Sequence, residues 1–286
     1  MYQAKSHGRN TFRFYTAALT EAADQRLALE GRLRRALMAE EFVVHYQPQF
    51  RAATGELVGC EALVRWQEPD GALVPPAQFI PLAEDTGLIV PLGLWVLETA
   101  CAQAQAWREA GMADLVMAVN LSGRQLQQRD LVWRVAAVLE RTGLPADRLT
   151  LELTESMIMD RGEEAVALLH SLKGLGVGLS IDDFGTGYSS LAYLNRFPID
   201  EMKIDRSFVR DTPGDAGDAE IVATIVAMAR NLSLRVVAEG VETQQQLDFL
   251  IGLGCDSCQG YLLSAALPAE EFAALILRAR DKAPCQ

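Results

Sequence analysis

Residues 149–183 read LTLELT, then ESMIMDRGEEAVALLHSLKGLG, then VGLSIDD. The outer blocks, Leu149 to Thr154 and Val177 to Asp183, are short and rich in Leu, Ile and Val, and the segment between them is long enough for a helix. Strand, helix and strand in succession are the unit of a parallel sheet. Working outward, the same alternation recurs. Phe42 to Phe50, Leu57 to Trp66, Leu115 to Leu121, Glu201 to Asp205, Leu234 to Glu239 and Cys255 to Tyr261 complete a set of eight apolar segments. Eight such units closed on themselves make a (β/α)8 barrel. Only Arg51 to Glu56 separate the first two segments, with a Thr54-Gly55 turn between them, which predicts a hairpin rather than a helical crossover. The expected fold class is therefore α/β, a TIM-type barrel with an antiparallel first strand. Ahead of it, Leu19, Ala22, Ala23, Leu27, Leu29, Leu33 and Leu37 fall at helical spacing between Ala17 and Met38, which predicts an amphipathic helix acting as linker or barrel cap.

Composition narrows the function classes. The 286 residues are 50% hydrophobic and 22% charged, the mix of a globular chain. A net charge of −12 argues against a chain that coats a nucleic-acid polymer, since that affinity comes from Lys and Arg neutralising phosphates. A small anionic ligand is compatible if cations screen it. Five cysteines, an odd number without a signal peptide, predict reduced thiols and a cytoplasmic chain, with a membrane anchor elsewhere in a full-length protein left open. No apolar run approaches the roughly 20 residues of a membrane helix, so no membrane contact is expected. Cys255-x-x-Cys258 lacks the second pair of a zinc site and reads as structural thiols. His45 reads as a satisfied strand side chain, His170 as helix surface, and Leu88 to Val96 as core.

Polar residues at the ends of apolar strands are costly, and here they recur: Glu61, Asn120, Glu152, Asp182 with Asp183, Lys203, Glu239 and Gln259. Any one alone is more often a polar group with an ordinary hydrogen-bond partner. Seven strands repeating the pattern is a different matter, because a parallel barrel gathers its strand ends at one mouth. That mouth would hold five carboxylates, two amides and one ammonium, an excess of negative charge that one lysine does not balance. All-oxygen donors select hard divalent cations, Mg²⁺ or Mn²⁺ with Ca²⁺ as a further candidate. If both aspartates face the mouth, one bridges two ions, the arrangement that clamps attacking and leaving oxygens in phosphoryl displacement. The predicted reaction class is phosphodiester hydrolysis.

The strings Glu61-Ala62-Leu63-Val64-Arg65-Trp66, Asn120-Leu121-Ser122, Glu152-Leu153-Thr154-Glu155, Asp182-Asp183-Phe184-Gly185-Thr186-Gly187-Tyr188, Lys203-Ile204-Asp205, Glu239-Gly240-Val241-Glu242-Thr243 and Gln259-Gly260-Tyr261 together resemble the EAL domain family of cyclic di-GMP phosphodiesterases. The likeness runs in order from about Leu27 to Phe272. It implies two Mg²⁺ or Mn²⁺ ions and hydrolysis of cyclic di-GMP to linear pGpG. By the same resemblance, Glu61, Asn120, Glu152 and Asp182 are ligands of one ion, and Asp182, Asp183 and Glu239 of the other. Lys203 is expected to hold the attacking water or the developing charge, and Gln259 to orient solvent or ligand. Asp205 supports these groups or forms a salt bridge at a strand end. Arg65, on the same strand face as Glu61, reaches guanine or phosphate or else a solvent-exposed partner, with Gln47 and Leu63 assigned beside it to the substrate. Phe184, Gly185, Thr186, Gly187 and Tyr188 are expected in a mobile loop near a homodimer contact, anchored by Glu155 and grouped with Glu242.

Residues 1–15 resemble the last helix and strand of a GGDEF diguanylate cyclase domain, which implies an upstream GGDEF domain in a longer protein. The expected organisation is then this remnant, the start of a linker helix over 16–26, the barrel over 27–280 and a tail over 281–286. One departure stands out: where the family commonly carries Arg or Lys and then Pro, this chain reads Ser264-Ala265-Ala266-Leu267-Pro268. Two other function classes compete, a sensor that holds the dinucleotide uncut and a Mg²⁺-dependent lyase of the enolase type. A sensor tolerates loss of a ligand, and none is lost; the lyase does not explain the adjacent aspartates. Ca²⁺ added to a Mg²⁺ assay is expected to inhibit turnover, because a larger ion with looser geometry misplaces the attacking water; undiminished turnover would contradict the ion assignment.

Overall fold

The computed structural model describes residues 17–112, 114–159, 162–185, 194 and 196–282. The GGDEF-like remnant, the end of the tail, and Thr186, Gly187 and Tyr188 lie outside the described residues. Nine strands are described: β1 Phe42–Arg51, β2 Leu57–Gln67, β3 Leu73–Val74, β4 Val116–Asn120, β5 Leu149–Thr154, β6 Gly178–Phe184, β7 Glu201–Ile204, β8 Arg235–Ala238 and β9 Ser257–Cys258. Eight close into a ring in the order β1-β2-β4-β5-β6-β7-β8-β9 and back to β1, while β3 is an appendage on β2. β1 is antiparallel to both neighbours and the remaining ring pairings are parallel. The hairpin expected from the short Arg51 to Glu56 connection is therefore present, and it reverses one strand of the barrel.

Eleven helices are named here: α1 Ala17–Ala36, α2 Pro76–Thr86, α3 Ile89–Glu109, α4 Gly123–Leu126, α5 Leu131–Thr142, α6 Glu155–Met159, α7 Glu163–Lys173, α8 Arg206–Val209, α9 Ala216–Asn231, α10 Gln244–Leu253 and α11 Ala269–Lys282. Local chemistry sets several of their ends. Thr243 caps α10 in a reciprocal pair with Gln246, and left-handed Gly254 ends it. The expected amphipathic helix is α1, which packs Leu33 and Ala36 into a cluster with Phe42, Trp66, Val74 and Phe79 at one end of the hairpin. The larger core lies between the ring and its outer helices, where Tyr46 of β1 meets Trp107 edge-on at 4.9 Å. Leu88 to Val96 is core as expected, with Ile89, Leu92 and Val96 buried. No described helix is long and apolar enough to cross a membrane.

Two strands differ from expectation in ways that shape the mouth. Cys255 to Tyr261 contains only two strand residues, because the chain turns beside the backbone of Val241: Val241 N–H donates to Gln259 O at 3.1 Å and Leu262 N–H to Val241 O at 3.0 Å. A Cβ on Gly260 would sit 2.2 Å from Val241 N and O, so only glycine permits this approach. Beyond β9, Leu267 takes up the pairing with β1 through two bonds to Tyr46. The second difference is Glu61, which lies within β2 rather than near its end. β2 pairs with β4 only over Gly59 to Ala62, and from there the hairpin continues past the ring as a wall backed by α1, α2 and β3.

Gly260→Ala is expected to cost about 2–3 kcal/mol, since rigid backbone rather than a side-chain tip meets the new methyl. Thermal unfolding should register a drop of roughly 2–4 °C per kcal/mol at this chain length; an unchanged midpoint would show that the segment relaxes freely.

Candidate active site

The mouth is built around one ammonium. Lys203 Nζ of β7 is fully buried and lies 2.8 Å from Glu152 Oε2, 2.7 Å from Glu239 Oε1, 3.2 Å from Glu61 Oε2 and 3.4 Å from Asp182 Oδ1. Those four carboxylates come from β2, β5, β6 and the residue following β8. Around them, Asn120 Nδ2 donates to Glu61 Oε1 at 2.7 Å, and Gln259 Nε2 donates to Glu61 Oε2 at 2.7 Å and to Glu239 Oε1 at 3.0 Å. Of the eight polar residues singled out from the sequence, seven therefore meet in one cluster, and Asp183 stands beside it within the field of Asp182 and Lys203.

Adjacent residues of a regular strand face opposite ways, so the two aspartates need a special device. β6 supplies it with a bulge: Ile181 pairs with Met202 and Phe184 with Ile204, leaving Asp182 and Asp183 opposite Lys203 alone. Asp183 adopts a left-handed φ of 54°, uncommon for a residue with a side chain. Ile181 and Phe184 keep their places in the core, and Phe184, expected in the loop, is instead the buried last residue of β6. Asp183 is linked by a side-chain hydrogen bond to Asp205, which also caps α8 by accepting from Ser207 N at 2.9 Å. Asp205 thus stands beside the cluster through Asp183, and at the end of its strand it caps a helix through Ser207 rather than forming the salt bridge that the sequence reading offered as the alternative.

The electrostatics are unbalanced. Two like charges about 4 Å apart repel by about 4 kcal/mol at an effective dielectric near 20, which is comparable to a whole domain's stability. Burial pushes the Glu152 carboxyl well above its ordinary range, and the charge of Glu61 adds to it against the pull of Lys203. Burial likewise raises Glu239 to about 8 despite Lys203, with Asp182 and Glu61 contributing. Asp183 rises to about 6 through burial and then the charges of Asp182 and Asp205. Burial works against ionisation of Glu61 too, but Lys203 and the bonds from Gln259 and Asn120 outweigh it and hold this carboxyl low. Burial would lower Lys203, and the surrounding carboxylates more than reverse it.

The donor set fits hard cations. All candidate ligands are oxygens, the carboxylates exceed the available positive charge, and Glu152 Oε1 is buried without a hydrogen-bond partner. Among the described residues, no three acidic, His or Cys side chains already stand in a metal-holding arrangement, and Lys203 Nζ fills the space between the carboxylates.

The hairpin wall carries the residues assigned to substrate. Gln47 pairs with Glu61 and Leu63 with His45 in register, and Arg65 follows on the same face, its Nη1 donating to Val64 O at 2.9 Å. Gln47 Nε2 reaches Ser264 O at 3.5 Å, tying the departing segment to β1. Glu155, buried at the start of α6, accepts from Gly185 N at 3.2 Å, and Gly185 has a left-handed φ of 93°. Glu242 is exposed, with its N–H donating to Gln246 Oε1 at 2.7 Å at the start of α10. His170 is exposed on α7, and the four described cysteines are buried free thiols. Sequence reading missed Gln49, whose Nε2 donates to Gln259 Oε1 at 3.0 Å. The signal was available in the alternation of His45, Gln47 and Gln49 along one face of β1.

Residues 30–266 match the EAL domain family. The bifunctional diguanylate cyclase/cyclic di-GMP phosphodiesterase MucR of Pseudomonas aeruginosa is 48% identical over 276 residues, covering 96% of this chain and 40% of that protein. The cyclic di-GMP phosphodiesterase PdeR of Escherichia coli is 41% identical over 272 residues, covering 95% of this chain and 41% of that protein. The chain thus spans less than half the length of either relative. The solved structure of PaMucR phosphodiesterase in complex with c-di-GMP superposes with a TM-score of 0.83 at 49% identity, over 86% of this chain and 99% of that one.

The raised carboxyls set a pH dependence. Glu239 and Asp183 bind protons more tightly when folded than when unfolded, so their contribution to stability is fully present below the unfolded values and is lost as pH rises through about 8 and about 6. Without divalent ions, the thermal midpoint is expected to fall as pH is raised from about 5 to about 8, and Mg²⁺ or Mn²⁺ should flatten that slope. A slope unaltered by either ion would contradict cation binding at these carboxylates.

Proposed function

The chain belongs to the EAL domain family, and on that premise we propose that it hydrolyses cyclic di-GMP to linear pGpG. The observation that carries this reading is the convergence of Glu61, Glu152, Asp182 and Glu239 on Lys203 at the barrel mouth. Similarity to proteins named for this activity supports it, as does the likeness to a structure solved with the dinucleotide.

In this proposal Glu61, Asn120, Glu152 and Asp182 hold one Mg²⁺ or Mn²⁺ ion, and Asp182, Asp183 and Glu239 hold a second. When bound, such a pair supplies positive charge to the phosphate oxygens and lowers the pKa of a water so that hydroxide is available near neutral pH. The hairpin wall, through Gln47, Leu63 and Arg65, receives the dinucleotide and pairs its charge. Attack of the water oxygen on phosphorus would break the bond to the 3′-oxygen and open the ring with the phosphate on the 5′ side; the proton that the water loses to solvent is matched by one that solvent returns to the departing 3′-oxygen, so one water is consumed. Lys203, released from part of its carboxylate contacts, stabilises the charge that accumulates on the equatorial oxygens. Gln259 fixes the orientation of Glu61 and Glu239. A homodimer and an upstream GGDEF domain belong to the same proposal, with Glu155 holding Gly185 as the start of a loop between partner contact and site.

Purified protein with cyclic di-GMP and Mg²⁺ or Mn²⁺ is expected to release pGpG, measured by chromatography, and to stop when the ions are chelated. Dinucleotide bound but uncut under both ions would overturn hydrolysis in favour of a binding module. Lys203→Ala should lower kcat by about 10²–10³ with a smaller change in KM. Asp182→Ala should lose more activity than Glu61→Ala, and equal, mild losses would refute its service to both ions.

A further inference from the structure

Gln49 is a buried amide of β1, facing the barrel interior opposite Gly59. Gly59 leaves it room: a Cβ there would come within 3.2 Å of Gln49 Oε1 and 2.7 Å of Val116 O. From this position Gln49 Nε2 donates to Gln259 Oε1 at 3.0 Å. Gln259 is itself buried, and its amino group faces two carboxylates, Glu61 Oε2 at 2.7 Å and Glu239 Oε1 at 3.0 Å. A glutamine amide has two faces related by a flip, one donating and one accepting. With the flip reversed, Gln259 would turn its carbonyl oxygen toward two carboxylate oxygens, and a buried acceptor against acceptors loses its bonds and gains repulsion.

We infer that Gln49 is a positioning residue: by donating to Gln259 Oε1 it locks the Gln259 amide in the orientation that bridges Glu61 and Glu239. This rests on the proposed function above. Glu61 and Glu239, assigned above to different ions, accept from the same Gln259 nitrogen, so a single amide donor fixes how these two carboxylates stand to one another. Gln49 keeps that donor pointed correctly without itself touching substrate.

The test is a double-mutant cycle in the intact chain using Gln49→Leu and Gln259→Ala, read as kcat and KM on cyclic di-GMP. Gln49→Leu is expected to lower kcat about fivefold to tenfold with KM held within about twofold, the loss of one buried hydrogen bond. In the Gln259→Ala background the same substitution should add almost nothing, because its effect passes through Gln259. An equal loss in both backgrounds, or no loss in either, overturns the inference. Gln49→Met serves in the same cycle if the leucine variant unfolds, as judged by its thermal midpoint. A second readout is independent of turnover: the Mn²⁺ concentration that half-raises the thermal midpoint should increase severalfold in Gln49→Leu and in Gln259→Ala alike. If the unaltered chain cuts no dinucleotide, the proposed function fails by itself, and this Mn²⁺ response still decides the role of Gln49; a response identical to that of the unaltered chain would refute it.

Discussion

Lys203 Nζ, with no exposure to solvent, lies within 3.4 Å of four carboxylates drawn from around the barrel, and the architecture of the mouth follows from that one contact set. A buried ammonium is tolerated only when opposite charges and hydrogen bonds replace water. Four carboxylates exceed what one ammonium neutralises. The surplus is visible in Glu152, Glu239 and Asp183, each held above its ordinary range by burial and by neighbouring negative charge. The cluster is a place of stored electrostatic cost, relieved by protons or by added cations.

The fold supplies this arrangement by departing locally from ideal strands. The β6 bulge sets Asp182 and Asp183 opposite Lys203 at the expense of a left-handed aspartate. The approach of Gly260 to Val241 brings Gln259 beside the end of β8, where its N–H also donates to Ala238 O at 2.9 Å. Reversal of β1 raises a hairpin above the ring and lines it with Gln47, Leu63 and Arg65. Each places a polar group where the apolar framework alone would not.

The architecture was legible because alternation of apolar strands with helical stretches is imposed by burying a parallel sheet on both sides, and because polar residues interrupt that pattern where a mouth must be lined. The short connection between Phe50 and Leu57 even disclosed the reversed strand. What escaped depends on three-dimensional detail. Period-two reasoning turns adjacent residues to opposite faces, so only the register shift shows how Asp182 reaches Lys203 while Asp183 beside it bonds Asp205 of the same neighbouring segment. Gln49 escaped because a rule about the C-terminal ends of strands does not apply to an antiparallel one, whose interior residues descend from the mouth as the chain advances. Likewise, Lys203 reads from sequence as one positive charge against five carboxylates, and only its position shows that four of them close on it within 3.4 Å.

Anomalous diffraction from crystals of this chain grown with Mn²⁺ and an uncleavable analogue of cyclic di-GMP tests the central claim most directly. The account predicts two Mn²⁺ peaks within ligand distance of the mouth carboxylates, sharing Asp182, with Lys203 displaced from at least part of its present contacts. Carboxylates still closed on Lys203, with no Mn²⁺ among them while the dinucleotide occupies the mouth, would contradict it.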